Sequence, residues 1–144
     1  MAKKLGNNYR LWIESATAGT FNEVKGQQSL SYSQSTQLID TSDKTNSPYG
    51  TSVPGLISVQ ISADLIPDLP DTNGFTRLES QFVNQLPTNF QIRKGGSSGA
   101  APADVVYEGA HYVTQLNKSF GLNDAVKVQA QLAPASAPTT NTLA

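Results

Sequence analysis

Hydrophobic and polar residues alternate with a period of two along most of this chain. The clearest run is 57–65, where Ile57, Val59, Ile61, Ala63 and Leu65 are separated by Ser58, Gln60, Ser62 and Asp64. In a strand that period sends one set to the core and leaves the other as a neutral-polar face. Residues 27–35 repeat the pattern, with Leu30 and Tyr32 on one face and Ser29, Ser31 and Ser33 on the other. Residues 125–132 set Val126, Val128, Ala130 and Leu132 against Lys127, Gln129 and Gln131. Four more runs, 9–14, 21–24, 89–94 and 104–116, are rich in branched and aromatic residues and end at turn-forming ones. One segment breaks the period: Phe75, Leu78, Phe82, Val83 and Leu86 lie at helical spacing after Asp71-Thr72-Asn73 and before Pro87. The spacing predicts a helix over 73–86 that turns Phe75, Leu78, Phe82 and Leu86 inward and Arg77, Glu79, Gln81 and Asn84 outward.

Between these elements lie a polar stretch at 40–55, a Gly/Ser/Ala stretch at 95–103, a turn at 118–123 and a Pro/Ala/Thr tail at 133–144. A connection of about 15 residues exceeds ordinary loop lengths, and loops of that length usually have a task. The expectation is a mainly β fold, a two-sheet β-sandwich or barrel of about seven strands with one flanking α-helix and a long loop. Residues 1–8 read as an N-terminal arm, 9–132 as the domain and 133–144 as a flexible tail without packing of its own.

Composition narrows the function. The chain has 144 residues, a size suited to one domain. It has no Cys, which excludes disulfides, thiolate metal sites and cysteine nucleophiles. Charged residues make up only 15% and the net charge is -1, so the surface is neutral-polar and favours association. Lys3, Lys4 and Arg10 make the first ten residues basic, but no basic stripe with interleaved aromatics follows, so tight binding of nucleic acid is not expected. No apolar run reaches the roughly 18 residues of a membrane span, and the first residues lack a signal-peptide core, so an intracellular chain is expected. His111, the only histidine, reads as a half-exposed strand residue. Asp68, Asp71 and Asn73 lack the spacing of a calcium loop and read as helix-capping groups, while Gly95, Gly96 and Gly99 lack the strand and helix that a phosphate cradle requires. No set of residues supports catalysis, and no cofactor or metal is implied.

Three short motifs add a resemblance. They are Val24-Lys25-Gly26-Gln27-Gln28, Ile39-Asp40-Thr41-Ser42-Asp43-Lys44, and Tyr107-Glu108-Gly109-Ala110-His111-Tyr112-Val113-Thr114. In this order, with one helix between the halves, the chain resembles the major tail tube proteins of long-tailed bacteriophages over residues 6 to about 132, with Gln28 where that family usually has Arg. The resemblance implies a virion structural protein, assembled in the host cytoplasm, whose hexameric rings stack into a tube that conducts DNA. It further implies that the long loop, with Asp40, Asp43, Lys44 and Tyr49, contacts the adjacent ring, and that Ser58, Gln60, Ser62 and Asp64 face the lumen. The partners implied are copies of the chain, a tape-measure protein, tail terminator and distal tail proteins, and DNA in transient non-specific contact. A competing class is a receptor- or carbohydrate-binding β-sandwich on a virion surface, which exposed loop aromatics would favour.

Overall fold

The computed structural model describes residues 9–46, 49–94 and 105–142. The expected arm at 1–8 and Gly/Ser/Ala stretch at 95–103 therefore lie outside the described residues. In chain order the elements are β1 (Arg10–Glu14), β2 (Phe21–Glu23), β3 (Gln27–Asp40), a short 3-10 turn (Lys44–Asn46), β4 (Ser52–Leu65), α1 (Phe75–Asn84), β5 (Thr88–Arg93), β6 (Val105–Ser119), β7 (Lys127–Pro134) and β8 (Thr140–Asn141). Over the described residues the fold is mainly β with one α-helix, as the alternation predicts.

The strands do not divide into two separate sheets. One antiparallel, hydrogen-bonded path runs β2-β1-β5-β6-β7-β4-β3, with β8 attached to β6. The path curls until its ends meet. The Gln27 side chain, at the start of β3, accepts the Leu11 N–H at 2.9 Å and donates to the Leu11 and Val24 carbonyls at 2.8 and 2.7 Å. Beside it, Gly26 has φ +83°, and a Cβ there would lie 1.9 Å from the Ile66 carbonyl oxygen. Only glycine tolerates both the backbone angle and that approach. The Val24-Lys25-Gly26-Gln27 motif is thus the clasp that closes the curled sheet, with Val24 fully buried beneath it.

The core lies inside the curl, where the alternating sets converge: Leu11 and Ile13 of β1, Phe90 and Ile92 of β5, Val113 of β6, Val128, Ala130 and Leu132 of β7, and Ile61, Ala63 and Leu65 of β4. The helix seals one side with Phe75 and Leu78. It is shorter than the predicted 73–86, because Gln85 takes a left-handed conformation at φ 53° and ends it. Leu86 lies beyond that cap and is exposed, and Phe82 is only partly buried. Gln81, expected outside, is buried, and its amide donates to the Thr88 hydroxyl on β5. The cap is also tertiary: the Asp71 carboxylate accepts the Phe75 N–H at 3.0 Å and the Lys25 N–H at 3.1 Å, tying the helix start to the clasp.

Three strands run further than their apolar patterns indicate. β3 continues to Asp40 and β4 begins at Ser52, so residues 41–51 remain as the connection in place of the predicted 40–55. β6 reaches Ser119, whereas β7 starts at Lys127, two residues later than expected. The tail packs as well: the N–H groups of Ala135, Thr139 and Thr142 donate to Ala110, Glu108 and Val106 carbonyls of β6, each at 2.8 Å. Backbone pairing along an open strand edge, rather than side-chain burial, holds this segment, which is why hydrophobicity gave no sign of it.

Candidate functional site

The second face of the curl carries the polar half of the alternation. Cross-strand register sets Ser29 opposite Asp64, Ser31 opposite Ser62, Ser33 opposite Gln60 and Ser35 opposite Ser58. β7 extends the same face, with Gln129 opposite Asp64 and Gln131 opposite Ser62, and β6 adds Asn117 and Gln115 beside those glutamines. The result is a four-stranded surface in the order β3-β4-β7-β6 made of hydroxyls and carboxamides. These groups satisfy one another: Ser29 donates to the Asp64 carboxylate at 2.8 Å, the Gln60 amide to the side-chain amide oxygen of Gln131 at 3.1 Å, and the Thr114 hydroxyl to the Gln131 backbone carbonyl at 3.2 Å. At its edge Lys127 lies 3.5 Å from Asp124. Such a surface offers many weak, neutral contacts and no fixed cluster of cations.

Both outer edges of this surface are open. Among the described residues β3 pairs with β4 only, and β6 has no strand on its β5 side beyond His111, where the Thr88 pairing ends. An unpaired edge of this length is a template for another strand.

Beyond Ser35 and Ser58 the β3–β4 hairpin leaves the core and projects alone. Thr36 pairs with Ile57, Leu38 with Pro54 and Ile39 with Val53, across an irregularity between Thr36 and Leu38. Pro54 lies on a stretch of β4 that is an edge on one side, since β7 pairs with β4 at 61–65, and edge positions are where a strand tolerates proline. Leu38, Ile39, Val53, Leu56, Ile57 and Tyr49 are all exposed, Leu56 by 80% and Tyr49 by 78%. At the tip the Asp40 carboxylate accepts the Ser42 N–H at 2.8 Å, which holds its pKa below the usual carboxylate value. Asp43 accepts the N–H and hydroxyl of Thr45 at 2.9 and 2.5 Å. These are local turn-forming bonds that shape the connection.

His111 is a correction to the sequence reading, because it is fully buried. Its Nε2 lies 2.6 Å from the Tyr107 hydroxyl, and the Tyr107 ring lies 4.9 Å from that of Tyr32. The Tyr32 hydroxyl donates to Asn141 of β8 at 3.1 Å. Burial lowers the His111 pKa and, with Tyr32 alongside, pushes that of Tyr107 up to about 12. Both groups are therefore neutral near pH 7, sealed from solvent and structural in effect. Positions 107, 109, 111 and 113 share one face of β6, so the period that placed Val113 inside also places His111 there. Among the described residues no His, Asp, Glu or Cys cluster is placed to hold a metal ion, and no helix is long and apolar enough to cross a membrane.

The expected residues therefore fall into three groups. Ser58, Gln60, Ser62 and Asp64 share the polar face with Ser29, Ser31, Ser33, Ser35, Gln129 and Gln131, whose strand partners the sequence does not reveal. Asp40, Asp43, Lys44 and Tyr49 gather at the hairpin tip, while the apolar side chains of its stem were not expected as a surface. Phe75 and Leu78 belong to the core.

A family model described as phage tail tube protein matches residues 5–140. No curated protein sequence matches the chain. Among solved structures, the tail of an empty GTA particle, refined with C6 symmetry, matches with a TM-score of 0.81 at 17% identity, covering 97% of this chain and 100% of that one. The SPP1 tail tube matches with a TM-score of 0.74 at 14% identity, over 96% of this chain and 80% of the other. The PVC sheath-tube complex of an extracellular contractile injection system gives 0.60 at 13% identity, covering 93% and 89%. At these identities the likeness is one of fold.

Proposed function

The chain belongs to the phage tail tube protein family, and from that premise we propose that six copies close into a ring, that rings stack into the virion tail tube, and that the β3-β4-β7-β6 face lines its bore. The observation that carries this reading is the pairing of a neutral-polar face with two open edges. Joining β3 of one copy to the free stretch of β6 in the next would extend the sheet around the ring and cover both outer edges of this surface, the general solution to the edge-strand problem. Six-fold closure is the symmetry given for the GTA tail.

The chemistry of the face fits a conduit. Cations facing a passing nucleic acid would capture phosphates through counterion release. On this face Ser58, Gln60 and Ser62 are neutral, Asp64 is acidic, and Lys127 at the edge lies 3.5 Å from Asp124, so the wall would present no excess of unpaired cations within about a Debye length of 8 Å. DNA would thus touch the wall transiently and without sequence preference. A tape-measure protein would occupy the same bore before DNA, and terminator and distal tail proteins would cover the two ends of the stack. Stacking is assigned to the projecting hairpin, with Asp40, Asp43, Lys44 and Tyr49 at its tip. The role is structural and the location is the virion tail, with assembly in the host cytoplasm.

Negative-stain electron microscopy of the purified protein, with sedimentation of the same sample, tests this reading. Six-fold rings or hollow tubes are expected. A monomer that stays monomeric at all concentrations would contradict it.

A further inference from the structure

The projecting hairpin needs a surface to receive it, and the chain supplies one at its other pole. β3 and β4 run from the tip at Asp40 and Ser52 to the clasp at Gln27 and Leu65. Because Leu65 pairs with Val128 and Lys127 with Ser119, the β6–β7 turn at 120–126 extends beyond the clasp end. At roughly 3.3 Å per residue, the 14 residues of β4 separate tip and turn by about 45 Å.

That turn is unusually apolar for a solvent-facing connection. Phe120 is 75% exposed and Leu122 94%, and Leu69, which follows β4 at the same end, is 61% exposed. Val126 adds a fourth apolar side chain, half covered. The turn is nevertheless shaped: Asn123 takes a left-handed conformation at φ 58°, the Asp124 carboxylate accepts the Ala125 N–H at 2.9 Å, and Lys127 lies 3.5 Å from Asp124. Among the described residues none covers Phe120 or Leu122.

Resting on the tube reading, we infer that the β6–β7 turn, with Phe120 and Leu122 at its centre and Leu69 beside it, is the surface on which the hairpin of a copy in the next ring docks. Three observations fix a second copy as the occupant. The two exposed apolar sets lie at opposite poles of one sheet, so their contact is head-to-tail and does not close on itself, which is the geometry that propagates a stack. Each set is uncharged at its centre; beside them the Asp40 carboxylate accepts the Ser42 N–H at 2.8 Å and Lys127 lies 3.5 Å from Asp124. Both sets are largely exposed, Leu56 by 80% and Leu122 by 94%, so each offers apolar surface that a partner would cover. Six such contacts act in parallel between two rings, so even a modest contact suffices once a ring exists.

The test uses the full chain, whose lack of Cys makes introduced thiols the only ones present. Leu122→Asp should retain the circular dichroism of the parent and form rings, yet give at least about tenfold fewer tubes. Leu56→Cys and Leu122→Cys chains, mixed and oxidised, should give a covalent dimer containing one of each, whereas either chain alone should give none. Normal tube formation by Leu122→Asp, or cross-linking of Leu56→Cys with itself but not with Leu122→Cys, overturns the inference while the tube reading stands. A parent chain that forms no rings or tubes overturns the tube reading, and this inference with it.

Discussion

The same two strands behave differently along their length. From Ser29 to Ser35, β3 lies with β4 over the core, with Leu30 and Tyr32 packed inward and serines outward. From Thr36 to Asp40 the ladder continues, but the core does not, and Leu38 and Ile39 are exposed together with Val53, Leu56 and Ile57 across the hairpin. In the first half apolar residues stabilise the subunit. In the second half they contribute almost nothing to it, so their energetic value is available only to a partner. Stability and assembly are therefore separable by position within one hairpin.

The largest effect that would test this separation lies in the packed half. Phe90, fully buried on β5 with its ring edge toward His111, should cost about 3 to 5 kcal/mol as Phe90→Ala, measured by urea unfolding. Next comes the clasp: Gly26→Ala combines a strained φ with a collision against the Ile66 carbonyl and should cost more than about 2 kcal/mol. Either variant unfolding like the parent would show that the curl is closed elsewhere.

A smaller effect is expected from pH. Because burial lowers the folded-state pKa of His111 below 6.5, the unfolded chain takes up the proton first. Its contribution is complete above about pH 6.5 and is lost as pH falls toward the depressed folded value. The stability advantage of the parent over His111→Gln should thus shrink between pH 7 and pH 5; an advantage that grows on acidification would reverse the assignment.

The projecting half should give the smallest change in subunit stability. Leu56→Ser should shift it by no more than about 0.5 kcal/mol while impairing tube growth, because Leu56 is 80% exposed. Asp64→Lys should likewise fold and assemble; with the proposed lining of the bore it would place six further cations per ring there, so particles should eject or package DNA poorly, with relief at higher salt. Normal infectivity of Asp64→Lys particles would remove Asp64 from the bore.

What was legible in the sequence follows from where burial occurs. Strict alternation over 57–65 marked β4 and its polar face, and helical spacing marked α1, because each buries one face. The extension of β3 to Asp40 left no such mark, since Thr36, Leu38, Ile39 and Asp40 pair with β4 without burying side chains. β8 was invisible for the same reason. Gln81 was misplaced because its burial depends on Thr88, a partner that only the tertiary fold brings near. Of the candidate site, one strand of four was named in advance. Its neighbours followed from register, which single-strand patterns do not specify.

The central claim is that this neutral-polar face lines the bore. A cryo-electron microscopy reconstruction of tubes assembled from the purified chain tests it most directly. The account predicts six-fold rings in which Ser58, Gln60, Ser62 and Asp64 of every copy point at the axis. A reconstruction that places those side chains on the outer wall would contradict it.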